Sequence, residues 1–342
     1  MRHWNPMVAL IPCALLFACS SDDFKARRAH CPEGMELCYG QCVVVGDCPA
    51  VGGAGASGSA GESGAAGISG SAGASGGAGE SGTAGVSGGA GTGTSADCMD
   101  TSSALGAFSG QYDGSFLPVI GGGKSYFLQT NWWGDFQGQR VSYDGLAFTV
   151  SNQLADVGTS GAPAGYPSMF IGSYAGHTTA GSYLPKRVAS LQSVPTKLLT
   201  NLDTIDTANL NAAYDVWFTA SPLPLPSTQY DPGAGGAFLM VWLYDPANRQ
   251  PRGYNQVPAH AVSGVSGAWD VWIDHSDPPC ISYVSTTPLS GLTFDLKDFI
   301  KDSVDNGYGI TNDMYLSVIF AGFEIWSGAE GAQVESFCAA VQ

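Results

Sequence analysis

Eight short runs rich in β-branched and aromatic residues recur between Asp97 and Gln342: SYFLQTNWWG, LAFTVSN, AYDVWFTA, AFLMVWLY, AWDVWIDH, ISYVSTT, MYLSVIFAGFEIW and AQVESFCAAV. Turn clusters such as Gly121-Gly122-Gly123, Ser221-Pro222 and Asp277-Pro278-Pro279 separate them. A chain punctuated this often cannot build long helices. It implies an all-β fold, a two-sheet antiparallel sandwich. One segment breaks the pattern: in FDLKDFIKDSVDNGYG, Leu296, Phe299, Ile300 and Val304 fall at helical spacing and Asn306-Gly307 supplies a stop, so one helix packs on the sandwich. The run GAFLMVWL, Gly236 to Leu243, carries no charge and no hydroxyl and reads as a strand buried on both faces.

Four segments precede this domain. Residues 1–18 hold an early Arg2 and an apolar stretch from Met7 to Ala18, a secretory signal too short to span a membrane. Its end, Leu16-Phe17-Ala18-Cys19, resembles a bacterial lipobox, so residues 19–30 are expected to be a tether lipidated at Cys19. Secretion implies an oxidising compartment, and Cys31, Cys38, Cys42 and Cys48 make residues 31–50 a small disulfide-rich module rather than a zinc site, since no histidine lies within the spacing. In residues 51–96 a glycine recurs at every third position from Gly55 to Gly91 without proline, which fits a flexible Gly/Ala/Ser linker better than a collagen helix. Residues 97–342 form the folded domain.

The formal charge of −16 disfavours a nucleic-acid partner, because phosphate binding draws its affinity from Lys and Arg. Scattered histidines, with no HExxH, GxSxG elbow or P-loop, leave no metal, cofactor or nucleophilic-serine reading. What remains is carboxylates among aromatics. Glu324 is the lone acid in AGFEIWSG, and Asp215 sits between Tyr214 and Val216-Trp217. By pattern alone each points to solvent from a half-exposed sheet, or Asp215 makes a structural hydrogen bond. The sharper alternative places them in a desolvated groove, where a raised pKa suits a general acid and sugar rings stack on aromatic planes.

From about Gly110 onward the chain resembles glycoside hydrolase family 12, retaining endo-β-1,4-glucanases and xyloglucanases built as a curved β-jelly roll with an open cleft. The resemblance rests on blocks in family order: TNWWG, YPSMFIG, LPKRVASLQSVPT, AYDVWFTA, LMVWL, WDVWIDH, DLKDFI and YLSVIFAGFEIWSG followed by VESFCAAV. It implies that Glu324 is the general acid/base and Asp215 the third carboxylate beside the nucleophile. It also implies that Asn131 and Trp133 hold a sugar on the non-reducing side, and that Met240 and Trp242 line the cleft on the nucleophile strand. Cys98 has no cysteine near Gly138–Val141, where the family's disulfide would close, so it pairs elsewhere or stays free, with Cys338 a candidate.

At the family's nucleophile position this chain has Phe238, with no acid from Gly233 to Tyr244. A retaining mechanism forms a glycosyl ester on a carboxylate about 5 Å from the acid/base, and phenylalanine cannot form one. Three expectations follow. The first is a monomeric, lipid-anchored protein, on the outer membrane or cell surface, that binds β-1,4-linked glucan (cellulose, mixed-linkage glucan or xyloglucan) without retaining hydrolysis. The second is an endoglucanase using Glu324 as acid and Asp215 as base to a water. The third is a non-catalytic adhesion module.

Overall fold

The computed structural model describes residues 35–38, 41–44, 109–112, 114–121, 124–133, 139–152, 157, 161–247 and 249–342. The signal segment, Cys19, the glycine tract, Cys98 and the side-chain pairing expected for the cysteines of 31–50 lie outside the described residues. In chain order the strands are β1 (Met35–Cys38), β2 (Gln41–Val44), β3 (Ser109–Tyr112), β4 (Leu117–Gly121), β5 (Lys124–Gln129), β6 (Arg140–Asp144), β7 (Ala147–Asn152), β8 (Ser168–Tyr174), β9 (His177–Thr178), β10 (Lys186–Arg187), β11 (Pro195–Asn201), β12 (Leu210–Thr219), β13 (Ala237–Trp242), β14 (Tyr254–His260), β15 (Trp269–Asp274), β16 (Cys280–Ser285), β17 (Gly291–Asp295), β18 (Tyr315–Ile325) and β19 (Gln333–Ala339). Among the described residues one α-helix, α1 (Leu296–Asn306), joins β17 to β18.

Strands β1 and β2 pair as a small hairpin. The others form two sheets, which make the expected sandwich. A six-stranded sheet runs β17-β11-β19-β7-β6-β3, and an eleven-stranded sheet runs β14-β15-β16-β13-β12-β18-β8-β5-β4 with β9 and β10 at its margins. One pair departs from the antiparallel expectation: β13 and β16 run parallel, with Phe238 opposite Cys280 and Trp242 opposite Val284. Parallel neighbours need a long crossover, which the excursion through β14 and β15 provides.

Period-two alternation sorts the large sheet's side chains between two faces. Leu239 and Val241 on β13 with Leu243 just after it, Tyr214 and Val216 on β12, and Ile319 and Phe323 on β18 point inward and meet Leu198, Val334 and Phe337 of the small sheet in one buried core. The helix caps this core with Leu296, Phe299 and Ile300. Its start is fixed by Asp295, whose carboxylate accepts from Lys297 N, and its end by Gly307 at φ 69°, a left-handed conformation that glycine adopts without a Cβ clash. Asp302 ties the helix to the large sheet, accepting from Tyr283 Oη at 2.8 Å and lying 2.9 Å from His260 Nε2. Cys338 on β19 is disulfide-bonded.

Candidate functional site

The other face of the large sheet, turned away from the small one, carries a second buried cluster built from alternate residues of the same strands. Phe170, Tyr174, Ala213, Trp217, Phe238, Met240, Trp242, Val318, Phe320 and Trp326 belong to it. Cross-strand register arranges them in rows. One row is a lane of small residues, Ser168–Gly322–Ala213, that ends against Trp242. Gly322 is required here by close approach: a Cβ would meet the Pro167 carbonyl oxygen at 2.1 Å. The next row reads Phe127–Phe170–Phe320–Asp215–Met240. On the opposite side of the lane Glu324 pairs with Asn211.

The two carboxylates predicted from sequence therefore flank one lane. Asp215 lies four positions beyond Asn211 on β12, about 13 Å of strand. The solvent-facing expectation for Glu324 is overturned. Only 5% of the residue is exposed, its carboxylate accepts from Asn211 Nδ2 at 2.7 Å, and its backbone N–H donates to Asn211 Oδ1 at 3.2 Å. Asp215 does make a structural hydrogen bond, accepting from Trp217 Nε1 at 2.8 Å through Oδ2, but its Oδ1 is buried with no partner. Burial is the main cause that lifts both carboxyls, Asp215 to about 7 and Glu324 to about 8, against the hydrogen bonds that each accepts. The Asp215 charge adds to the rise at Glu324.

Phe238 also sits on this outer face, as alternation along β13 implies. Its ring makes an edge contact with Trp217, centroids 5.5 Å apart, and 5% of the residue is exposed. Asn131 and Trp133 approach from the Glu324 side. Trp133 N donates to the Ala164 carbonyl, Tyr166 N donates to the Asn131 carbonyl, and Gly165 bridges to Ile325. The Trp133 indole N–H donates to Asn131 Oδ1 at 2.9 Å, which fixes the ring plane relative to the amide.

Sequence reasoning missed three members of the site. Asn211 shares the parity of Asp215 in a single strand, a signal that was present. Tyr166 reaches the lane from β8's edge, where its hydroxyl donates to the Ala213 carbonyl at 3.0 Å. Its pKa is raised, chiefly by burial and further by Asp215 and Glu324, so the phenol is near both acids. Arg249 places its guanidinium 5.2 Å from the Trp326 ring centroid, a cation–π contact beside the Glu324 strand. A cavity of about 610 Å³ in the β12–β13 loop, lined by Leu223, Pro224 and Pro232 among others, touches neither carboxylate.

A sandwich that carries one buried and one half-buried carboxyl, both protonation-shifted, on its open face, across a lane walled by aromatic rings, is the architecture of a carbohydrate-active jelly roll. Comparison with known proteins makes the class definite. The model for "Glycosyl hydrolase family 12" matches residues 124–342, and the chain belongs to that family. A probable cellulase, Cel12b, of Mycobacterium tuberculosis is 32% identical over 47% of this chain and 99% of its own length. Endoglucanase A of Aspergillus kawachii is 25% identical over 64% of this chain and 85% of its own. Among solved structures, endoglucanase cel12A from Rhodothermus marinus superposes with a TM-score of 0.57 at 33% identity, covering 69% of this chain and 98% of that one.

Proposed function

We propose that this protein is a lipid-anchored, monomeric surface protein that holds a β-1,4-linked glucan across the Gly322–Ala213 lane and does not hydrolyse it by the family's retaining route. The observation that carries the reading is the outer face of β13, where Phe238, Met240 and Trp242 present no carboxylate and Phe238 is packed edge-on against Trp217. Double displacement needs a nucleophile to form the glycosyl ester. Without one, Glu324 can still protonate a leaving oxygen, but nothing captures the anomeric carbon. Asn131, Trp133, Met240 and Trp242 retain the means to grip sugar rings by stacking and amide hydrogen bonds. The relatives named as cellulase and endoglucanase support β-glucan as the ligand class.

The test uses the full-length chain with xyloglucan, mixed-linkage glucan and carboxymethylcellulose. Binding by calorimetry without release of reducing ends is expected. Clear turnover that disappears in Glu324→Gln would overturn the non-hydrolytic reading, and absence of binding to all three would overturn the glucan reading. Phe238→Glu is expected to gain retaining hydrolysis.

One observation favours a second reading. Asp215 and Glu324 lie on opposite sides of the lane, and Asp215 Oδ1 has no partner, which leaves it able to accept a proton from water. Glu324 as acid and Asp215 as base would then invert the anomeric centre in a single displacement, a mechanism served by carboxyls about 6.5 to 9.5 Å apart. Proton NMR of the first-formed product distinguishes the two readings. An α-anomer supports inversion, and no product supports binding alone.

A further inference from the structure

The rows of the outer face do not stop at β13. The lane's own row passes from Ala213 and Trp242 to Val284 on β16 and Asp270 on β15. The Asp215 row passes from Met240 to Ser282, then to Trp272 on β15 and Asn255 on β14. At about 4.8 Å per strand, β15 lies about 10 Å beyond β13. Its residues alternate between buried and half-buried: Trp269, Val271 and Ile273 face inward, and Asp270, Trp272 and Asp274 face outward.

The inward side is occupied by the helix. Trp269 and Tyr283 meet Phe299 of α1, with ring centroids 4.9 and 4.8 Å apart. Trp272 faces the other way, partly exposed at the margin of the outer aromatic cluster. Rings in the middle of that cluster, such as Phe170, Phe320 and Trp217, are buried, whereas Trp133 at one end and Trp272 at the other present themselves to solvent. Asn255, exposed, stands directly across the ladder from Trp272. The same two groups, an amide and an indole, meet at the opposite end of the lane as Asn131 and Trp133. A ring face takes the CH face of a sugar, and an amide both donates to and accepts from its hydroxyls. Asp270 adds a carboxylate, of which Oδ1 accepts from Ala259 N at 2.8 Å.

The two ends are far apart. Trp132 bridges to Gly165 and Gly165 to Ile325, so the Trp133 end lies two strand spacings from β18 on one side, and β15 lies four on the other. Six spacings make about 29 Å along the sheet. We infer that Trp272, with Asn255 and Asp270 beside it, is a further sugar subsite, and that the ligand is an extended β-1,4-linked chain gripped at both ends of the lane. The inference rests on the reading that the lane accepts a β-1,4-linked chain. It adds the length of that chain and a second point of hold, on strands that carry none of the catalytic positions.

The experiment is calorimetry of the full-length protein with cellotriose, too short to touch both ends, and with cellohexaose. Cellohexaose is expected to bind at least about tenfold more tightly. Trp272→Ala should lower cellohexaose affinity about tenfold and leave cellotriose unchanged, while Trp272→Phe, which keeps a ring, should retain most of the hexamer's advantage. Asn255→Ala, at an exposed position, should weaken cellohexaose alone, and it carries the test if the alanine at 272 fails to fold by its melting curve. Equal affinity of the parent for the two sugars, unchanged cellohexaose affinity in the folded alanine variants, or equal weakening of both sugars would overturn the inference and leave the glucan reading standing. Failure of the parent to bind either sugar or any of the three polysaccharides would overturn both.

Discussion

The two faces of β13 are made from adjacent residues of one strand and obey different rules. Leu239, Val241 and Leu243 meet the small sheet in an aliphatic and aromatic core whose requirement is volume. Phe238, Met240 and Trp242 are as buried but share their face with Asp215, Glu324, Asn211 and Tyr166, groups that a core made only for stability would not contain. Burial alone therefore does not separate core from site in this protein. What separates them is the pair of carboxyls, raised by burial, on the outer face.

Substitutions on the two faces should dissociate accordingly. The largest effect is expected from Leu239→Ala, which removes a fully buried side chain from the inner face and should cost about 3 kcal/mol in urea unfolding. Ligand affinity should stay unchanged, and a loss of affinity at temperatures where the variant remains folded would break the distinction between faces.

The outer face should respond to pH instead. Both carboxyls hold their protons more tightly in the folded chain than in the unfolded one. Their contribution is therefore fully favourable below about pH 4 and is lost as pH rises through about 7 at Asp215 and about 8 at Glu324. At about 1.4 kcal/mol per pKa unit the loss is on the order of a few kcal/mol. Asp215→Asn with Glu324→Gln should consequently gain on the order of a few kcal/mol per carboxyl relative to the parent between pH 5 and pH 8. Parallel pH profiles for the two proteins would show that these acids are solvated.

Smaller effects follow at the periphery. Asn131→Ala should weaken oligosaccharide binding about tenfold, equivalent to about 1.4 kcal/mol, and cost about 1 kcal/mol of stability, because Asn131 sits at φ 43° and its Oδ1 accepts from the Trp133 indole. Unchanged affinity in the folded variant would assign Asn131 to the fold rather than to the site. His260→Gln, beside the helix and away from the lane, should cost about 1 kcal/mol of stability and leave binding intact.

Much of the architecture was legible because it depends on local chemistry. The helix stop follows from Asn306-Gly307, and β5, β7, β12, β13, β15, β16, β18 and β19 fall in the β-branched and aromatic runs between turns. Glu324 and Asp215 stood out as acids in apolar runs. Their burial was not legible, since it depends on which strands lie beside them. The same limit hid Tyr166, which reaches the lane from a strand two places away from Ala213, and the parallel pairing of β13 with β16, which no property of either strand signals. Register is a long-range quantity, and single residues carry little of it.

Gly322 sets a boundary on how this site can diversify. Its Cα lies so close to the Pro167 carbonyl that no other amino acid fits without moving backbone. The depth of the lane is therefore fixed by main-chain contact between β18 and the segment leading into β8. Inheritance can rewrite the banks of such a channel but not its bed. A lineage that exchanges side chains along those banks still passes on a trough of the same depth, ready to be fitted to whichever chain its altered banks come to prefer.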